Sequence, residues 1–167
     1  KLICCVFLCI GIYFLLTNKQ RFVKKKKKND RTFLLAGFVV FRLLPWIVVF
    51  LIASIEPRGD IPFFFGKAIH AKVGAVVYRD FLSYHAPLFP YLISLPLFLW
   101  HNMKAIVLFM ILVETAILFL TYYVYKPKKE NALQLVFLYW LLPATFSYML
   151  IGGQEDNWFS GIAVLML

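Results

Sequence analysis

Residues 33–55 hold a single charge, Arg42, in an otherwise apolar run. As a helix this run would be about 34 Å long at ~1.5 Å per residue. The hydrocarbon core of a bilayer is ~30 Å thick. Lipid offers no water to serve exposed backbone groups, so such a segment is confined to a helix that bonds its own backbone. The surrounding chain is just as apolar. Hydrophobic residues make up 62% of it and charged residues 16%, against ~45–50% and ~25% in soluble domains. A soluble fold of this size would still leave roughly 30% of its chain surface in water. The expectation is an all-α fold, a polytopic transmembrane helix bundle.

Just ahead of this run lies the densest charge in the chain. Lys19, Arg21, Lys24 to Lys28 and Arg31 against Asp30 give +7 of the net +10. Residues 2–16 before it are apolar. A basic run between two hydrophobic segments reads as a cytoplasmic, topology-setting linker beside anionic head groups, not as a nucleic-acid tail. The first segment is a poor signal peptide, with one lysine ahead of it and no small-residue cleavage site behind. The expected division is 1–32, a first membrane helix with its basic cytoplasmic linker, and 33–167, a transmembrane module. Lys1 and an apolar run ending at Leu167 read as the ends of a fragment of a longer polypeptide. Cys4, Cys5 and Cys9 match no metal spacing and are expected as small buried hydrophobes.

Further along, residues 61–73 suggest a helix lying along the membrane, with Phe63, Phe64, Phe65 and Ile69 apolar and Lys67, His70 and Lys72 polar. Residues 87–100 are apolar but short and contain Pro87, Pro90 and Pro96, which suits an interfacial or re-entrant segment. Residues 105–125 and 132–151 read as full spans, and another begins near Trp158. Two topologies follow. If 87–100 crosses, Lys126, Lys128 and Lys129 face outward, against the positive-inside rule. If it does not, those lysines are cytoplasmic, and the loops 56–86 and 152–157 share the extracytoplasmic face. The second arrangement also fits the short, proline-rich segment and is preferred. It gives the bundle a long extracytoplasmic loop carrying membrane-parallel helices.

The chain has eight acidic residues. Five of them, Glu56, Asp60, Asp80, Glu155 and Asp156, fall in those two loops. Arg58, Lys67, Lys72 and Arg79 share the longer one. Carboxylates and cations at a bilayer edge suit an anionic lipid head group: the cations hold phosphate, and a carboxylate serves as base or metal ligand. The bland account is that these are solvated charges anchoring helix ends. Glu114 lies mid-span, where a neutral glutamate bonded to a neighbouring helix is the plain expectation.

The order of these motifs resembles the N-terminal part of GT-C class glycosyltransferases, polytopic enzymes that use polyprenyl-phosphate-linked sugars. The residues are Gly59-Asp60-Ile61-Pro62 after the span, then Gly74 through Leu92 with Tyr78-Arg79-Asp80-Phe81, Tyr84-His85-Ala86-Pro87-Leu88 and Pro90-Tyr91-Leu92, then Gly152 to Asn157. Ala86 departs from the family's first proline, and Glu56 stands four residues before Asp60 where an adjacent acidic pair is usual. The resemblance implies sugar transfer from a polyprenyl-phosphate donor to an acceptor on the extracytoplasmic face, of the mannosyltransferase-like kind. Asp60 would be the catalytic carboxylate. Arg58, Arg79, Asp80, Tyr84, His85, Gln154, Glu155 and Asp156 would bind substrate, Arg79 by pairing phosphate oxygens unless it simply pairs with Asp80. The partners implied are the lipid-linked sugar and the bilayer, without nucleic acid. The acceptor is unspecified, and a divalent metal stays an open requirement. The location implied is a multi-pass protein of a prokaryotic plasma membrane ahead of the endoplasmic reticulum. The rival readings are a polytopic secondary transporter and a noncatalytic membrane subunit.

Overall fold

The computed structural model describes residues 2–17, 30–127 and 131–147. The lysines 24–28 and the polar loop 152–157, with Gln154, Glu155 and Asp156, lie outside the described residues. So does the expected span beyond Trp158.

Among the described residues the fold is helical, without a strand. The helices are α1 (Leu2–Thr17), α2 (Asp30–Ile52), α3 (Ile61–Lys72), α4 (Phe89–Leu99), α5 (Met103–Tyr125), α6 (Ala132–Leu141) and α7 (Pro143–Ser147). Two of these, α2 and α5, are long and apolar enough to cross a membrane, each with 23 residues.

Asp30 opens α2 in its first turn, where a negative charge complements the helix dipole. Pro45 brings no N–H to this helix. The backbone answers with wider, π-helical turns at Val39–Leu43 and Ile47–Ile52 on either side of it, a usual way for a helix to absorb a proline. One face of α2 buries Leu34, Gly37, Arg42, Trp46 and Phe50, while Val40, Leu44, Val48 and Leu51 stay exposed. α5 starts on Asn102, whose side chain accepts from the Lys104 N–H at 2.9 Å, a regular N-cap.

α2 and α5 run antiparallel and are pinned at three heights. Asp30 Oδ2 accepts from Tyr122 Oη at 2.6 Å and pairs with Lys126 Nζ at 2.7 Å. Halfway along, Arg42 meets Glu114. At the far end Glu56 Oε1 pairs with Lys104 Nζ at 3.3 Å. Residues 53–102 therefore leave and return at one end of the pair. That segment contains α3 and α4. With 11 residues, α4 is about 16 Å long, roughly half of the ~30 Å needed to cross a bilayer.

α3 and α4 run side by side in the same direction, Phe64 against Phe89 (ring centroids 5.1 Å) and Lys72 Nζ donating to the Leu97 carbonyl at 2.8 Å. Gly74, at φ +84, ends α3 in the left-handed region, which a glycine adopts without strain. Ile61, Phe64, Ile93, Leu97, Ile106 and Met110 close the core beneath them.

A third helix leans on the pair. α6 lays the buried Trp140 ring over Gly37 of α2. A Cβ on Gly37 would stand 2.2 Å from Trp140 Cζ3, so only a bare backbone admits the ring. α1 packs in turn on α6, with Gln134 Nε2 donating to the Leu15 carbonyl at 3.1 Å and Leu141 against Gly11. The end of α1, the start of α2, the end of α5 and the start of α6 thus lie together.

The expected span 132–151 is not continuous. Its helix stops at Leu141 and Leu142 turns extended (ψ 122) ahead of Pro143, since a proline's ring disfavours the helical conformation in the residue before it. Cys9, expected buried, is exposed on α1.

Candidate functional site

Asp60 sits at the entrance to α3. Its backbone carbonyl accepts the Phe64 N–H at 2.9 Å, but its carboxylate makes no capping bond to the helix. Gly59, at φ +69, turns the chain into this position. From Asp60 the helix period carries Phe63 and Phe64 one turn on and Lys67 two turns on, along one side.

Residues 73–88 then fold back over that side. Two tyrosine hydroxyls brace them. Tyr91 Oη donates to the Ala75 carbonyl at 3.0 Å and accepts from the Val77 N–H at 3.2 Å. Tyr78 Oη donates to the His85 carbonyl at 3.1 Å. Within the turn, Arg79 grips Asp80 through two bonds, Nε to Oδ1 and Nη2 to Oδ2, both 2.9 Å. Asp80 Oδ2 also accepts the Val76 N–H at 2.8 Å. The guanidinium first, and the backbone N–H second, hold the Asp80 carboxyl down at about 2, and Asp80 in return raises Arg79. Of the two roles open to Arg79 in the sequence, phosphate ligand or partner of Asp80, the pairing with Asp80 is the one seen.

The fold-back delivers Tyr84 and His85 to Lys67. Lys67 Nζ stands 3.3 Å from His85 Nδ1, 3.8 Å from the centroid of Phe63 and 5.4 Å from that of Tyr84. Lys67 is only 5% exposed. A lysine ammonium taken out of water needs electron-rich neighbours, and aromatic faces supply them. For the ammonium to donate to Nδ1, that nitrogen must be bare, which leaves the proton of a neutral ring on Nε2. The His85 ring is held against Phe64 and Phe89 at 5.2 and 4.9 Å.

A second polar group lies deep between the long helices. Arg42 Nε donates to Glu114 Oε2 at 2.8 Å and Nη2 to Oε1 at 2.9 Å. Arg42 Nη1 donates to two carbonyls, Phe41 at 3.1 Å and Trp140 at 3.4 Å. Both carbonyls lie where regular helical bonding is interrupted. Pro45 has no N–H for Phe41 four residues earlier, and α6 ends just after Trp140. The helix-bonded neutral glutamate expected from the sequence is thus replaced by a bidentate pair with arginine.

The structure therefore joins Tyr84 and His85 on the helix that Asp60 opens. It occupies Arg79 and Asp80 with each other, and leaves Arg58 exposed two residues before Asp60. Gln154, Glu155 and Asp156 lie outside the described residues. Phe63 was absent from the expected site, and Lys67 entered it only as one of four cations sharing the long loop. Their signal was the helical spacing Asp60, Phe63, Lys67, which puts all three on one side of α3. Among the described residues no three His, Cys, Asp or Glu side chains are grouped as a metal site requires. No family model matches the chain, and no curated protein or solved structure matches it.

Proposed function

We propose that this chain is a polytopic integral membrane protein forming the N-terminal module of a glycosyltransferase, which moves a sugar from a polyprenyl-phosphate donor to an acceptor on the extracytoplasmic face. The membrane half of the reading is supported by the exposed apolar face of α2, which lipid would cover, and by two helices of crossing length. The positive-inside rule puts Asp30, Arg31 and Lys126 in the cytoplasm together with lysines 24–28. Residues 53–102 then lie outside, with α3 and α4 along the surface. The membrane is the plasma membrane of a prokaryote.

One observation carries the catalytic half. At the end of the α2–α5 pair away from Asp30 and Lys126, a carboxylate (Asp60) opens the helix whose Lys67 meets His85. In the reaction the acceptor hydroxyl oxygen bonds to the anomeric carbon, and the bond from that carbon to the phosphate oxygen breaks. Asp60 takes the hydroxyl proton, and polyprenyl phosphate leaves with the electron pair. Lys67 and His85 Nε2–H balance the charge that develops on the leaving phosphate. A transporter would present its mid-membrane charges to cargo. Arg42 and Glu114 instead saturate each other and two carbonyls.

The test is transfer of labelled sugar from polyprenyl phosphate by the full-length protein in membranes, with wild type and Asp60→Asn inserted equally. Loss of the base should slow transfer by ~10²–10⁴-fold. Equal rates would move the base to Asp80 or Glu155. Absence of transfer by the wild type from any polyprenyl-phosphate sugar would sink the reading.

A further inference from the structure

Phe63 and Tyr84 hold nearly parallel rings, 16° between planes with centroids 6.5 Å apart. They come from different elements, α3 and the 73–88 connection, and both are exposed, Phe63 at 48% and Tyr84 at 87%. Lys67, almost fully buried, lies against both rings. From this geometry we infer that Phe63 and Tyr84 form the platform of a pyranose subsite. The C–H face of one sugar lies on the rings, and the phosphate of that same sugar reaches toward Lys67.

The physical match is specific. A pyranose has a flat apolar C–H face and a polar rim, and the pair offers two near-parallel apolar ring faces with a cation beneath them, 3.8 Å from the Phe63 centroid. The quadrupole of each ring, negative on its face, favours the polarised C–H groups as it favours the ammonium. Aromatic residues that only anchor a protein at a membrane interface need neither a parallel partner nor a buried cation beneath them. The anionic substituent follows from Lys67, since a buried cation beside an open platform selects against a neutral or positive ligand. The inference rests on the glycosyl-transfer reading only for the phosphate being that of a lipid-linked donor. The platform itself asks only for a sugar phosphate.

The experiment uses the full-length protein in phosphatidylcholine nanodiscs and saturation-transfer NMR, with mannose 1-phosphate, methyl mannoside and inorganic phosphate as probes. Mannose 1-phosphate should receive saturation on its ring C–H protons and bind about tenfold or more tightly than methyl mannoside. Tyr84→Ala and Phe63→Ala should weaken it about tenfold, Tyr84→Phe should preserve it, and Lys67→Met should abolish the preference for the phosphorylated sugar. Unchanged binding in Tyr84→Ala would make the rings interface anchors and overturn the subsite. Inorganic phosphate binding as well as mannose 1-phosphate would overturn it too. Binding that depends on the rings, in a protein that transfers no sugar, would uphold the subsite and remove the glycosyl-transfer reading.

Discussion

Arg42 and Glu114, 72 residues apart in sequence, are joined by two hydrogen bonds of 2.8 and 2.9 Å with both side chains buried. They lie halfway along the two longest helices, where a lone charge is most expensive. Removing one partner strands the other. Glu114→Leu should therefore lower stability by about 3–5 kcal/mol, while Arg42→Leu combined with Glu114→Leu should recover most of that loss, because two desolvated charges disappear together. Thermal unfolding in detergent, read by circular dichroism, measures both. Losses that simply add would show the pair to be uncoupled.

Gly37 is the contact on which α6 closes. An alanine Cβ there would stand 2.2 Å from Trp140 Cζ3, so the ring or the helix must shift. Gly37→Ala should cost about 1–3 kcal/mol, the range for overpacking a filled core, although alanine is the better helix former. Trp140→Leu in the same chain should relieve the clash, leaving the double variant less destabilised than the sum of the two. Chemical denaturation in a mild detergent separates the outcomes. A stabilised Gly37→Ala would mean that Trp140 does not seat on α2.

How far these contacts could be read from sequence differs by kind. The long helices were legible because 33–55 and 105–125 are apolar apart from one charge each, and α3 because it joins apolar Phe63, Phe64, Phe65 and Ile69 with polar Lys67, His70 and Lys72. The shortness expected of 87–100 agrees with the 11 residues of α4. What escaped was set by chain breaks and tertiary pairing. Pro143 breaks the helix expected over 132–151, a local signal passed over because hydropathy continues through it. Arg42 and Glu114 were each visible as misplaced charges, but nothing local couples them. Lys67 looked like one polar residue among several on α3 until the 73–88 connection brought His85 to it. Arg79 and Asp80 are adjacent, and their sequence left that pairing and a phosphate ligand equally open.

The Asp80 carboxyl gives the 73–88 turn a pH response. Its value is lowered from 3.8 to about 2 by Arg79 and the Val76 N–H. A depressed acid favours the folded turn fully above its unfolded value. That contribution fades as pH falls from about 4 toward about 2. Arg79→Met should move the Asp80 titration up toward the ordinary aspartate value while Tyr78 and Tyr91 still brace the segment. Carbon-13 shifts of a labelled Asp80 carboxyl, followed from pH 6 down through the ordinary aspartate value of roughly 4, record it. An unchanged midpoint in Arg79→Met would assign the depression to the backbone bond.

The antiparallel pairing of α2 and α5 fixes which loops share a side, and this is open to a direct test. Asp30 bonds Tyr122 and Lys126 at one end, and Glu56 bonds Lys104 at the other. Residues 54 and 101 should therefore emerge on one side of the membrane and 126 on the other. With Cys4, Cys5 and Cys9 changed to serine, single cysteines at the exposed positions Ser54, His101 and Lys126 can be challenged with an impermeant maleimide in sealed vesicles of known orientation. Ser54→Cys and His101→Cys should label together from the extracytoplasmic face, and Lys126→Cys only after the vesicles are opened. Labelling of Lys126→Cys together with Ser54→Cys, with His101→Cys reached only after the vesicles are opened, would instead mean that 87–100 crosses the bilayer. The long helices would then be parallel, and the three contacts that pin them could not form together.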